Sequence, residues 1–103
     1  MTQFADVKVS LDAQSAVDRL LTIALNHDNG GASRVAGFLL AWWNGQDLGH
    51  FPVIDIANVD PEIGQDMLSI LAFLNRFGVH YADTFGRRAE MERLIDIWRP
   101  LAT

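Results

Sequence analysis

Arg34-Val35-Ala36-Gly37-Phe38-Leu39-Leu40-Ala41-Trp42-Trp43-Asn44 decides how this chain is read. From Val35 to Trp43 every residue is apolar or glycine. A helix that is apolar on all sides needs neighbours on all sides, so this segment is expected to be the central, most buried helix of the fold. Ser33 is the expected cap at its start, and Asn44-Gly45 its stop. Trp42 and Trp43 are adjacent, so they point about 100° apart around the helix axis. One should meet the core. The other should face a second layer or a partner.

The segments on either side also read as helices. Ala13, Ala16, Val17, Leu20, Leu21, Ala24 and Leu25 recur at steps of three and four, which is one face of a helix. Asp12 is the expected cap and Asn29-Gly30-Gly31 the stop, giving a first helix over about 12–27. Residues 1–10 are expected to be flexible, with 7–11 able to form a short strand. Past the central helix, Asp60-Pro61-Glu62 is a strong helix start, with a capping residue, proline at the first position and an acid in the positive-dipole turn. Ile63, Met67, Ile70, Leu71, Leu74 and Phe77 follow at helical spacing, and Gly78 ends that helix. Asp83 or Thr84 should open the last helix, with Met91, Leu94, Ile95 and Trp98 on one stripe and Pro100 as terminator. Residues 51–59 are apolar with weak alternation. A short helix starting at Asp55 is preferred there, because a lone strand has nothing to pair with. The expected fold is an all-α, single-domain bundle over 1–103, with four main helices plus a short helical or extended segment near 53–58.

Charge is distributed unevenly. Residues 1–34 sum to −1, residues 35–75 to −5 and residues 76–103 to +1. The middle third carries Asp47, Asp55, Asp60, Glu62 and Asp66 without one Lys or Arg. Phosphate neutralisation dominates nucleic-acid affinity, so a chain without a basic face argues against direct binding to DNA or RNA. The arginines near the C-terminus alternate with acids at helical spacing, as on a solvated, salt-bridged face. The absence of cysteine excludes a disulfide framework and any thiolate nucleophile or metal site. Residues 1–10 have neither a long apolar core nor a basic start, so no signal peptide is expected. The run 35–43 is about half a membrane span, so no membrane association is expected. The default location is the cytoplasm.

No constellation of catalytic type stands out. His27-Asp28 falls at a helix end, where a partly protonated histidine is stabilised by the dipole. His80 and Asp83 are three residues apart and could present a ligand pair, but no HExxH-like motif accompanies them. The serines lie in no nucleophile-elbow context. Gly30-Gly31-Ala32-Ser33 could cradle a phosphate on its amides, yet lacks the lysine and preceding strand of a phosphate loop. No catalytic residue, metal or cofactor is therefore assigned, and the chain is not expected to be an enzyme.

The better candidate is an interface. Trp42 and Trp98 fit a core, whereas Trp43 beside Asn44 fits an exposed aromatic anchor. With Asp47, Asp55, Asp60, Glu62 and Asp66 they form the candidate interface Trp43, Asn44, Asp47, Asp55, Asp60, Glu62 and Asp66. The occupants considered are an unidentified protein, a second copy of the chain, or a nucleic-acid-processing protein inhibited by charge mimicry.

The block 34–44, followed by Val59-Asp60, Asp66-Met67, Tyr81-Ala82-Asp83 and Trp98-Arg99-Pro100, resembles a family of small uncharacterised proteobacterial proteins. These are often encoded in integrated phage, plasmid or conjugative-element regions. The resemblance covers roughly residues 15–101. It implies a genomic setting but no activity, cofactor or functional residue.

Overall fold

The computed structural model describes residues 2–78 and 82–102, for residues 2–4, 82, 83 and 102 in backbone only. Four α-helices carry the fold: α1 Thr2–Asn26, α2 Gly30–Asn44, α3 Pro61–Phe77 and α4 Arg88–Trp98. Among the described residues two short 3-10 turns, Val53–Asn58 and Ala82–Phe85, lie between helices, and a third, Pro100–Ala102, follows α4. No strand occurs among the described residues, so the expected all-α bundle is the observed one. No helix of the described residues is long and apolar enough to cross a membrane.

α1 starts ten residues before its expected cap. Residues 7–11, considered above as a strand, continue this helix. Asp12 is therefore inside α1, where it pairs with Lys8 one turn earlier at 3.0 Å. That helical pair supports a segment that lies before the buried stripe of α1. α1 and α3 run antiparallel, because Arg19 meets Asp66 while Asp6 meets Arg76. α4 is fastened to α1 by Arg87 Nε donating to Asp18 Oδ1 at 2.6 Å. That hydrogen bond, then the Asp18 charge, raises the Arg87 guanidinium above its ordinary pKa.

The α1–α2 turn is capped by Asn29, whose Oδ1 accepts from the Ala32 amide at 2.8 Å. The cap lies four residues before the expected Ser33, which sits inside the first turns of α2. Residues 35–40 are buried without interruption. α1 covers one side of α2 and the chain emerging from its own C-terminus covers another. Residues 45–50 fold back along α2, with the His50 amide donating to the Gly37 carbonyl at 3.4 Å. Only a face of small residues permits this. A Cβ on Gly37 would overlap the His50 carbonyl oxygen, and one on Gly49 would overlap the Ala41 backbone.

α3 begins at Pro61 and stops at Gly78, which adopts φ +83°, a conformation that favours glycine. Asp60 occupies the N-cap position as expected, but its side chain makes no cap hydrogen bond. α4 begins at Arg88 rather than at Asp83 or Thr84. A 3-10 turn takes those positions, and Gly86 at φ +76° separates it from α4. The core is apolar throughout, led by Leu20, Leu39, Leu40, Met67, Ile70, Met91 and Leu94. Trp98 closes one end of it. Its indole Nε1 donates to the Ala24 carbonyl at 2.8 Å, supplying a partner to a carbonyl in the last turn of α1.

Candidate interaction surface

The segment after α2 does more than return the chain. Phe51 sets its ring edge-on against Phe38, with centroids 5.2 Å apart and planes at 79°. The turn Val53–Asn58 then crosses towards α3, and Arg34 Nη1 reaches the Asn58 carbonyl at 3.5 Å. Asp55 donates its amide to the Pro52 carbonyl at 2.8 Å, which tightens the turn into 3-10 geometry. The expected short helix is thus present, starting at Val53 instead of Asp55.

This crossing leaves an apolar groove between α2 and α3. Phe38, Ala41 and Trp42 form its α2 wall, Phe51, Val53 and Ile56 its roof, and Leu71 and Leu74 its α3 wall. Its volume is about 310 Å³. Val53 is 85 % exposed and Ile54 69 % exposed. Leu71 and Leu68, one turn apart on α3, are also exposed. Large apolar side chains gathered at one place on a small domain mark an interaction surface more often than scattered ones do.

The groove carries no ionisable side chain in its lining. Its lining residues all fall within the stretch 35–75, which has acids but no base, although Arg34, at the start of α2, reaches the Asn58 carbonyl at the end of the roof turn. Asp55 stands between Ile54 and Ile56 at the roof, and Asp60 and Glu62 lie exposed just beyond it. Around the roof and the start of α3 the three acids Asp55, Asp60 and Glu62 outnumber the one nearby base, Arg34.

The residues expected to form an interface do not share one face. Asn58 lies beside Arg34 near the start of α2, with Asp60 and Glu62 following it in the chain, while Asp55 is at the groove roof between Ile54 and Ile56. Trp43, Asn44 and Asp47 lie at the other end of α2. Arg34 and Asn44 are ten residues apart on α2, so the helix separates Asn58 from Asn44 by about 15 Å. Asn44 is engaged locally, its Oδ1 accepting from the Asp47 amide at 3.3 Å. Trp43 is half-buried against the core rather than an exposed anchor, and the Arg88 guanidinium lies 5.4 Å from its ring centroid. Trp42, expected in the core, is half-buried and forms part of the groove wall. Asp66 is neutralised by Arg19 and has only 13 % side-chain exposure. Sequence reading missed Val53, Ile54, Leu68 and Leu71. The available signal was an apolar run at 51–59 in excess of what one short turn can bury.

The other sequence candidates are dispersed or locally satisfied. His27 and Asp28 are exposed in the α1–α2 turn, along an open, mostly polar cleft of about 400 Å³ with Asn26, Asn29 and Ile97. The His80/Asp83 pair lies outside the described residues. His50 contributes backbone contacts to Gly37. The Gly30–Ser33 amides are the first turn of α2, with Asn29 already bonded to the Ala32 amide. Among the described residues no group of three His, Asp or Glu side chains is placed to hold a metal ion.

A family of unknown function (DUF7673) matches residues 14–99, and the chain belongs to it. No curated protein and no solved structure matches the chain.

Proposed function

We propose that this protein is a non-enzymatic, cytoplasmic protein-binding module of a proteobacterial mobile element. Its groove between α2 and α3 takes an amphipathic helix whose apolar stripe is flanked by Lys or Arg. The observation that carries this reading is the uncharged groove walled by Phe38, Trp42, Leu71 and Leu74 within a stretch that has five acids and no base. A helix laid into such a groove anchors through residues at i, i+3 or i+4 and i+7. Basic flanks would meet Asp55, Asp60 and Glu62, raising the encounter rate and selecting orientation. A second copy of this acidic groove would meet like charge instead.

The acidic-inhibitor reading, in which the chain mimics nucleic acid, draws on the same acids. It is less well supported, because Asp66 is paired and Asp47 lies far from Asp60 and Glu62. An enzyme or ligand site built on His27 and Asp28 has no converging third group in the described residues.

The test is a titration of three synthetic 20-residue peptides followed by Trp fluorescence and amide chemical shifts. One has a Leu stripe at helical spacing flanked by Lys, one has the same stripe flanked by Glu, and one has the Lys composition with the stripe scrambled. The striped Lys peptide should bind, shift resonances of Phe38, Val53 and Leu71, and lose affinity at least tenfold with Leu71→Glu. Equal binding of the scrambled peptide would reduce the effect to bulk charge and sink the groove. Equal binding of the Glu-flanked peptide would remove the charge argument. No binding by any peptide would reject the module as described.

A further inference from the structure

The groove between α2 and α3 is aromatic on its inner side. Phe38 is buried, and Phe51 stands edge-on to it with centroids 5.2 Å apart. Trp42, one turn further along α2, is half-buried and sets its ring at 69° to Phe85. The rest of the lining is aliphatic. No lining side chain can accept a hydrogen bond, because tryptophan offers only a donor and the others have no polar atom. The Gly37 carbonyl, next to Phe38, already accepts from the His50 amide.

The space measures about 310 Å³. An apolar cavity of about 150 Å³ is enough for benzene, so one phenyl ring fits here together with its link to a helix outside. An aromatic guest gains edge-to-face contacts with the ring walls beyond the area it buries. A leucine buries comparable area without those contacts. A tyrosine makes them, but its hydroxyl would reach the Phe38 end, where no side chain accepts it, and a buried hydroxyl without a partner opposes binding.

We infer that the groove is specific for a phenylalanine side chain of the partner helix, its ring seated against Phe38, Phe51 and Trp42. Neighbouring apolar residues of that helix rest on the exposed Leu68 and Leu71. This inference rests on the amphipathic-helix reading of the groove and adds which residue the partner must supply. Near the roof and the start of α3, Asp55, Asp60 and Glu62 outnumber Arg34, so that phenylalanine sits between basic flanks.

The experiment compares four Lys-flanked peptides of equal length that share one apolar stripe and differ only at its centre, which is Phe, Leu, Tyr or Ala. Binding to wild type and to Phe51→Leu is measured by calorimetry, with methyl resonances of Ile56 and Leu74 followed by NMR. The Phe peptide should bind wild type about fivefold more tightly than the Leu peptide. It should also bind more tightly than the Tyr and Ala peptides, and shift the Ile56 and Leu74 methyls by its ring current. Phe51→Leu should still bind the Leu peptide, which shows that it is folded, with a smaller preference for Phe over Leu. Equal binding of the Phe and Leu peptides to wild type overturns this inference and leaves the helix-binding reading standing. A Tyr peptide as tight as the Phe peptide puts the ring at the mouth of the groove and overturns the seating. A preference unchanged in Phe51→Leu takes the ring walls out of recognition and overturns it too. Binding by none of the four overturns the inference together with the reading it rests on.

Discussion

Arg19 and Asp66, on neighbouring antiparallel helices, meet fork to fork. Arg19 Nη2 donates to Asp66 Oδ1 at 2.7 Å and Nε to Oδ2 at 3.0 Å. The hydrogen bond that Arg19 donates to Asp66, and then the Asp66 charge, raises the Arg19 guanidinium above its ordinary pKa. Bidentate geometry fixes direction as well as distance, so this pair sets the register of α1 against α3.

A raised folded-state pKa means that the Arg19 contribution is fully present below the ordinary guanidinium pKa and is lost only as pH rises beyond it. Around neutral pH the pair should therefore be insensitive to Arg19 titration but weakened by salt, since Arg19 is largely exposed. We expect a double-mutant cycle on Arg19→Leu and Asp66→Asn, read by urea denaturation, to give favourable coupling that shrinks at high salt. Strict additivity of the two single changes would show that the pair does not hold the register.

Gly37→Ala should destabilise the fold, against the usual helix preference for alanine. Alanine gains about 1 kcal/mol over glycine inside a helix. At Gly37 the new methyl would overlap the His50 carbonyl oxygen, and overpacking typically costs about 1–3 kcal/mol. Gly30→Ala, whose nearest neighbour is the flexible end of Arg34 at 3.6 Å, serves as the control without a clash. The urea midpoint should fall for Gly37→Ala and hold or rise for Gly30→Ala. A rise for both would mean that residues 45–50 do not lie against α2.

Phe38→Ala removes a ring that is 6 % exposed and packs edge-on against Phe51. The loss should be about 3–5 kcal/mol, a large share of the stability of a domain this size. Thermal melting should drop accordingly. An unchanged melt would place residue 38 outside the core.

Trp98→Phe keeps most of the ring volume and deletes one donor. The Ala24 carbonyl then loses its 2.8 Å partner, at a cost of about 1–3 kcal/mol if no water replaces it. Hydrogen exchange should speed up first in the last turn of α1. Uniform exchange rates across α1 in both chains would show that Trp98 acts by packing alone.

The apolar periodicities at 13–25, 63–77 and 91–98, the unbroken run at 35–43, and the stops at Gly78 and Pro100 made the helices legible. Each depends on residues within a few turns of one another. The start of α1 was not read from the sequence, because Phe4, Val7 and Leu11, though at helical spacing, do not continue into the buried stripe that begins at Ala13, and Lys8 with Asp12 is a weak local pair. Asp12 and Ser33 are good caps by residue type, but in the fold a neighbouring choice won. Asn29 could reach the Ala32 amide, and α1 had already begun before Asp12.

By itself the sequence determined the class of the fold, its number of main helices, the burial of residues 35–40 and the acidity of the middle third, since these follow from local spacing and composition. Only the tertiary structure decided which apolar residues remain exposed. Gly37, Ala41 and Gly49 let the returning chain lie against α2, which throws Val53 and Ile54 outward and brings Leu71 and Leu74 opposite Phe38 and Trp42. The same packing puts Trp43 beneath Arg88 and Asp66 against Arg19. Those outcomes depend on close approaches between segments distant in sequence, and no local pattern encodes the distance between two backbones.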